Sequence, residues 1–487
     1  MSRISTKPPS GTRDFLPADL ARRRFVVRVI EEVFGSYGFV ALETPAIENL
    51  STLLGKYGQE GDQLLYRLLH RRDALTRALA TAGVGEAELA DQGLRYDLTV
   101  PLARVVAEYR ELPRFFKRYQ IQPVWRADRP GRGRFREFYQ CDVDIVGADS
   151  LLAEAEVCAA TAQVLGALGF KDFVLQLNHR QLLRALVSAA GIDAAQEGTA
   201  LVAVDKLDKV GQAGVQQELT ARGIGPQAAD RLLELLTRDP AAGDRASIDW
   251  LRAELGPTPA AALALPALDQ LAALLELLAA TPAAAHVRLN PALARGLSYY
   301  TGPIFELTLP GLAGSVGGGG RYDNLIGMFG SQPIPAVGCS LGLERILLLL
   351  EERGLYPTLT TGPDLLLCWF GVELDAVLRT AHALRAQTLG GRGLRVEVYP
   401  QAAKLAKQLQ YATAPHATAP HATAPHATAP GVGLPAVAIL GASEASAGTI
   451  TLKHLASGQQ RTVPLAEASE TLQGLALTPP ALTPAGS

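Results

Sequence analysis

The stretch from Trp125 to Gly147, WRADRPGRGRFREFYQCDVDIVG, constrains the fold more than any other, because it changes within a few residues from arginine-rich to carboxylate-bearing. From Phe135 onward Phe135, Glu137, Tyr139, Cys141 and Val143 alternate with Arg136, Phe138, Gln140, Asp142 and Asp144, which is the period of a strand. Such a strand turns Gln140, Asp142 and Asp144 to one face. Pro130, Gly131 and Gly133 mark a loop before it, so the segment reads as strand, basic loop, strand. Arg126, Arg129, Arg132, Arg134 and Arg136 offer planar donor forks suited to phosphate. An anion and an amino-acid cation could be held side by side here. Taken alone, the same pattern also describes an exposed hairpin with solvated charges.

The 487 residues are enough for several domains and a sizeable core, and a chain that is 48% hydrophobic and 19% charged is globular. A net charge of -2 gives no global argument for nucleic-acid binding. From Pro101 to Gln140, however, ten Arg or Lys stand against four acids, and a local excess of this kind attracts a polyanion even on a neutral protein. Cys141, Cys158, Cys339 and Cys368 lie far apart with no CxxC spacing, which suits free thiols in a reducing cytoplasm. The N-terminal MSRISTKPPSGTRDFLP has no apolar core and is not a secretory signal. The most membrane-like run, Pro257 to Val287, is interrupted by Pro266, Asp269, Glu276 and Pro282 and reads as helices of a soluble module.

Leu20, Phe25, Val29, Ile30, Val33 and Phe34 are near helical spacing and predict a helix packed on a sheet. Strand-like segments punctuated by Pro45, Pro101, Pro113 and Pro123 follow, and residues 150 to 168 return to a helical pattern. Composition then shifts to Ala, Leu, Gln and Glu, the mark of a helical insertion. LARGLSYYTGPIFELTL reads as strand-turn-strand, and PAVGCSLGLERILLLLEERG as a strand with a helix starting near Gly342. Beyond a boundary near Thr358 to Pro363, strands and helices alternate through DLLLCWFG, ELDAVLRTAHALRAQ, LRVEVYP, AAKLAKQLQYA and PAVAILG, which predicts parallel pairing.

Starting at Ala412, the unit ATAPH occurs three times and is followed by ATAP, ending at Pro430. The period is too short for a solenoid unit and too rich in proline for a helix, so an extended loop is expected. His416, His421 and His426 recur in it, but a Pro/Ala loop supplies no preorganised metal geometry, and no metal site is expected there. Without the three units the connection would be an ordinary short helix-to-strand link. The repeat reads as an expansion within a finished fold.

Several distant segments converge on nucleotide and amino-acid chemistry. In RYDLTVPLAR, Asp97 and Thr99 could receive an α-ammonium group or simply cap a turn. ARGLSYYTG supplies Arg295, Tyr299 and Tyr300; neighbouring strand residues face opposite ways, so one tyrosine alone should line a pocket. VGGGGRYDNL either lets backbone approach a ligand or forms a flexible turn, and then presents Arg321 and Tyr322. GLERI places Arg345 in the first turns of a helix, with Glu344 or Glu351 as possible surface partners.

Together these segments resemble the histidyl-tRNA synthetases, a family of class II aminoacyl-tRNA synthetases, over nearly the whole chain. GTRDFLP resembles the family's N-terminal signature, WRADRPGRGRFREFYQCDVDIVG its second class motif and GLERI its third; ARGLSYYTG and GGGGRYDNL look like its two histidine-specific signatures. NHRQLL, VDKLDKV and YDLTVP look like the branch shared with eukaryotic and archaeal enzymes, and KQLQYA and PAVAILG resemble the anticodon-binding domain.

The resemblance implies an α+β fold: an antiparallel class II sheet flanked by helices, with a helical insertion and a C-terminal α/β anticodon-binding domain. The implied parts are a catalytic core at 1–170 and 286–358, an insertion at 171–285, an anticodon-binding domain at 363–475 and a disordered tail at 476–487. It implies that histidine and ATP form histidyl-adenylate and pyrophosphate, with histidine then passed to the 3′ end of tRNA(His). Arg126 would hold the α-phosphate and carboxylate region, Arg134 would contact ATP, Arg345 would brace the distal phosphates and Arg295 would stand as a fixed cation beside the α-phosphate. Asp97, Thr99 and Gln140 would hold the amino group, while Asp144 and Tyr300 would read the imidazole beside Tyr299, with Tyr322 closing the pocket. Mg²⁺ would accompany ATP, and a cytoplasmic homodimer is implied. Ser298 departs from the family's usual Asp, which affects local hydrogen bonding rather than the reaction type. The competing reading is a non-catalytic relative that senses histidine or tRNA, such as a regulatory subunit of ATP phosphoribosyltransferase. Such relatives tend to lose the arginines that this chain keeps.

Overall fold

The computed structural model describes all residues except 1–3, 82, 86–87, 238–242, 296–298, 331, 358, 360–361, 415–433 and 476–487. Ser298, the three repeat histidines and the expected tail therefore lie outside the described residues. The chain forms two compact units, Met1–Arg13 with Val26–Leu355, and Asp14–Phe25 with Tyr356–Ser487.

The first unit is built on eight strands: β1 (Val40–Ala41), β2 (Phe116–Trp125), β3 (Glu137–Val146), β4 (Val174–His179), β5 (Val287–Leu289), β6 (Pro303–Thr308), β7 (Gly317–Arg321) and β8 (Ala336–Gly342), in the spatial order β1-β2-β3-β8-β7-β6-β4-β5. The six inner strands pair antiparallel, as expected. Both edges differ: β1 runs parallel to β2, and β5 parallel to β4, so the sheet is mixed. β3 is the strand that the alternation at 135–144 predicts, and it pairs along its whole length with β2 and over seven residues with β8.

Register converts sequence into chemistry. Asp144 faces Arg118 on one side and Gly338 on the other, while Asp142 stands between Gln120 and Ser340. The same rows continue into β7, where Gly320 pairs with Gly338 and Gly318 with Ser340. The glycine run is thus a fully buried central strand rather than a flexible turn. It tolerates no side chain: a Cβ on Gly319 would lie 1.9 Å from the Gly338 carbonyl oxygen.

Helix α1 (Pro17–Ser36) buries Val26, Ile30, Val33 and Phe34 at the predicted spacing. α2 (Thr99–Glu108) and α3 (Leu152–Ala167) also flank the core. Within the expected 171–285 insertion, Val174–His179 form β4 of the sheet, and helices follow from Arg180. Its last helix, α4 (Ala261–Leu278), is long and apolar enough to cross a membrane, yet it buries Leu268, Leu271, Leu274 and Leu278 within the unit. The helix continues through Pro266, in its second turn, where the missing N–H forfeits one intrahelical bond, that to the Ala262 carbonyl. α5 (Leu343–Glu352) follows β8 directly at Gly342, as GLERI predicts.

The second unit holds β9 (Leu365–Trp369), α6 (Leu374–Arg385), β10 (Val396–Val398), α7 (Leu405–Thr413) and β11 (Ala436–Leu440), with β9 parallel to both β10 and β11. This is the expected alternation, extended by an antiparallel hairpin at 449–464. Gln408 of KQLQYA is buried and ties α7 to the sheet, its side chain bonding both the N–H (2.9 Å) and the carbonyl (2.7 Å) of Trp369.

Candidate active site

One cavity of about 480 Å³ opens on the face of the sheet where Gln140, Asp142 and Asp144 point. Every site residue predicted from the sequence lines it: Asp97, Thr99, Arg126, Arg134, Gln140, Asp144, Arg295, Tyr299, Tyr300, Tyr322 and Arg345. Residues more than 200 positions apart meet here because β3, β7 and β8 are adjacent strands.

One end is cationic. Arg126 is half-buried, donates from Nε to the Tyr96 carbonyl at 3.1 Å and lies 4.2 Å from the Tyr96 ring and 5.2 Å from that of Phe138. Arg345 points back from α5 and donates to the Ser315 carbonyl rather than pairing with Glu344, which instead accepts the Tyr139 N–H at 2.9 Å. Burial and then Arg134 hold the Arg345 pKa below its ordinary value; Arg126 and Arg295 add to the effect and Glu306 opposes it. Four guanidinium groups close enough to repel one another form a site for a polyanion. Arg134 is exposed at the mouth, in a tight turn closed by reciprocal 3.0 Å backbone bonds with Gly131. Arg132 fixes that loop, pairing with Glu352 at 2.5 Å and with the Gly311 carbonyl at 2.9 Å.

Arg295 sits between the two ends and pairs with Glu306 at 2.8 Å. Burial alone would lower its pKa, but Tyr300 and Glu306 outweigh burial and raise it, so its charge is secure. Tyr299 and Tyr300 both line the cavity, which corrects the expectation of one. The reason is local: neither belongs to a strand, and in LARGLSYYTGPIFELTL the strand begins only at Pro303. Their rings are 4.9 Å apart, and Tyr299 also meets Tyr322 edge-on at 6.1 Å.

The other end is a floor of buried acceptors. Asp97 Oδ1 accepts the Val100 N–H (3.0 Å) and the Tyr57 hydroxyl (3.1 Å), so it does cap the turn, while its Oδ2 is buried without a hydrogen-bond partner. Gln140 donates from Nε2 to Ser340 Oγ at 2.7 Å and leaves Oε1 unpartnered; Asp142 Oδ1 is likewise buried and unpartnered. Asp144 Oδ1 accepts the Tyr322 hydroxyl at 2.5 Å, and its Oδ2 lies 2.8 Å from Arg118 Nη2 but off the N–H direction. Burial raises the pKa of Asp97 and of Asp144, against the pull of Arg118 on both. Orphaned acceptors in a water-excluding pocket are costly unless a ligand supplies N–H donors.

Sequence reasoning missed Arg118, Glu306, Tyr57, Tyr96 and Lys209, and it put Asp142 on the right face without giving it a role. Lys209 is contributed by the insertion, and Arg118 and Glu306 are legible as partners only once the register is known. Arg321, by contrast, points to the opposite face from Tyr322 and pairs with Glu154 at 2.5 Å, outside the cavity.

Residues 11–346 match the family model described as histidyl-tRNA synthetase, and residues 376–475 one described as an anticodon binding domain. The chain is 39% identical to a histidine–tRNA ligase of Gloeobacter violaceus over 95% of this chain and 97% of that protein. It is also 39% identical to one of Porphyromonas gingivalis, over 94% and 96%. Among solved structures, the histidyl-tRNA synthetase from Nostoc sp. PCC 7120 superposes with a TM-score of 0.73 at 29% identity, covering 97% of this chain and all of that one. These relatives are bacterial, so the eukaryotic and archaeal branch suggested by NHRQLL, VDKLDKV and YDLTVP is not supported. By a family model spanning most of its length and by relatives aligned nearly end to end, this chain belongs to the histidyl-tRNA synthetase family.

Proposed function

We propose that the chain is a histidine–tRNA ligase. The observation that carries this reading is the polarity of a single cavity: three arginines gather at one end, Arg295 stands midway, and orphaned carboxylate and amide oxygens line the other end. Histidine has the complementary shape, with its carboxylate toward the arginines and its ammonium and imidazole toward the acceptors.

In this reading the histidine carboxylate oxygen attacks the ATP α-phosphorus, a carboxyl–phosphate bond forms, and the bond to the β-phosphate bridging oxygen breaks to release pyrophosphate. Arg126 and Arg295 hold the two anions together and balance the charge that develops on the α-phosphate. Arg345 and Arg134 receive the distal phosphates, and Phe135, stacked by Arg13 at 4.5 Å, offers a face for the base. Asp97, Thr99 and Gln140 orient the ammonium, and Asp144, Tyr300 and Tyr322 the ring. In the second step the 3′-terminal hydroxyl of tRNA attacks the activated carbonyl and AMP leaves.

Mg²⁺ would come as part of the ATP complex and would supply charge screening of the phosphates. Among the described residues no cluster of three or more His, Cys, Asp or Glu forms a resident metal site, and Asp128 and Glu344 are the carboxylates that join the arginines in lining the cavity. Homodimerisation is part of this reading, and Val40, Ile47, Leu69 and Phe115 of the first unit are exposed apolar side chains that a second copy could cover. A cytoplasmic setting is supported by four free, buried cysteines. The anticodon-binding match supports tRNA as partner, with Ala127 to Arg134 facing its acceptor end.

The test is amino-acid-dependent ATP–pyrophosphate exchange with each of the twenty amino acids. Exchange with histidine alone is expected. No exchange, with histidine still bound, would favour the sensing relative; an ATP phosphoribosyltransferase regulatory subunit/histidyl-tRNA synthetase from Bacillus halodurans C shares the fold at 22% identity and a TM-score of 0.67.

A further inference from the structure

The carboxylate assigned to the imidazole, Asp144, is already occupied at Oδ1 by the Tyr322 hydroxyl and faces Arg118 at Oδ2. One strand position pair away, Asp142 stands on the same face, 2% exposed, and also lines the cavity. Its Oδ2 is 3.9 Å from the same Arg118 nitrogen, and its Oδ1 has no hydrogen-bond partner. Two carboxylates therefore share one guanidinium, and Asp142 Oδ1 is left as a buried acceptor without a hydrogen-bond partner on a residue that lines the cavity. Neutral imidazole has a single N–H donor, whereas imidazolium has two.

We propose that Asp142 is a second imidazole acceptor, so that the pocket holds histidine as the imidazolium, with one ring N–H on Asp142 and the other on Asp144. The proposal rests on the functional reading above. The charge of the surroundings agrees with it. The ionisable and charged groups facing Asp142 are Arg118 and Arg95, Asp97 and Asp144, and Tyr322 and Cys339, with Ser340 bonding it from β8. Once Asp142 is ionised, three carboxylates at this end exceed the nearby buried cation Arg118, with Arg95 held by the carbonyls of Thr44, Pro45 and Pro123. A cationic ring restores the balance. Burial, then Asp144 and Asp97, push the Asp142 carboxyl up to about 7 against Arg118 and Ser340. The empty pocket can therefore supply the proton itself: as neutral histidine enters, the Asp142 O–H bond breaks, a ring N–H bond forms, and no outside acid is consumed.

The first test uses the unaltered full chain with ring-¹⁵N-labelled histidine at a pH one unit above the free imidazole value of about 6.5. NMR should show both ring nitrogens of the bound ligand protonated; a singly protonated ring would overturn the proposal. The second compares the wild type with Asp142→Asn in ATP–pyrophosphate exchange. The variant should raise the KM for histidine about tenfold or more while kcat changes little, as expected for a lost charge-assisted bond. Wild-type KM should rise as pH passes above 7, where Asp142 loses its proton, and the variant should be flat there; parallel profiles would also overturn the proposal. If histidine fails to bind at all, the functional reading falls too. If histidine binds with a neutral ring, only the role of Asp142 falls.

Discussion

Arg295 occupies the space that a side chain on Gly318 would need: a Cβ built there would come within 2.2 Å of Arg295 Nη1. The glycine strand and the arginine are therefore one device, with the strand kept bare so that a guanidinium can stand against it in the cavity. Gly318→Ala should displace the arginine tip rather than the backbone, because the three atoms nearest the new Cβ all belong to the Arg295 guanidinium. Exchange activity should fall on the order of 10²-fold with a small change in Tm. Gly319→Ala, which meets backbone, should instead lower Tm strongly; equal thermal losses in the two would refute the distinction.

Arg295→Ala should remove adenylation by about 3 kcal/mol in activation free energy, the size of a lost preorganised donor. The reading is kcat/KM for exchange at varied histidine. Near-wild-type exchange would show that the cation is not used in the transition state.

Arg345→Gln is expected to raise the KM for ATP about tenfold while leaving that for histidine nearly unchanged, because Arg345 stands with Arg134 at the end far from the acceptor floor. Initial rates with each substrate varied in turn separate the two constants. A matching rise for histidine would place the residue elsewhere in the mechanism.

Asp364 ties the second unit together by ion pairs with Arg392 (2.6 Å) and Arg395 (2.7 Å). Burial would raise its pKa, but hydrogen bonds from Arg392 and Arg395 outweigh burial and hold it well below the carboxylate range. The folded value is depressed, so its contribution is full above the unfolded value of about 3.9 and lost as pH falls toward the folded one. Asp364→Asn should cost about 2 kcal/mol at neutral pH and flatten the acid limb below pH about 4. Trp369 fluorescence, read with Trp125 and Trp250 replaced by Phe, reports on this unit. An unchanged acid profile would contradict the assignment.

The repeat begins at Ala412, whose carbonyl accepts the Leu434 N–H at 2.8 Å. The two flanks are thus already joined. Removing the three ATAPH units should change loop closure by less than about 1 kcal/mol and leave aminoacylation near wild type. A large rise in the KM for tRNA would show that the repeat touches RNA.

What could be read in advance followed from local periodicity. The alternation at 135–144 specified β3 and put Gln140, Asp142 and Asp144 on one face, and GLERI specified the start of α5 at Gly342. What was hidden depended on neighbours distant in the chain. Arg118 and Glu306 look like ordinary strand charges until register sets them opposite Asp144 and Gly318. The glycine run resembles a turn because the groups that fill its missing side-chain space come from Arg295 and from the adjacent strand. Tyr299 and Tyr300 share one cavity because the alternation of a strand does not apply to their irregular backbone.

The insertion leaves the sheet at the end of β4 and returns through β5, its parallel neighbour, with Leu175 opposite Val287. Departure and return are one strand apart, so the excursion can grow or shrink without shifting the register that aligns Arg118, Asp144 and Gly338. In engineering terms the junction is a grafting point: new surface can be attached to the chain here while the chemistry on the sheet stays fixed.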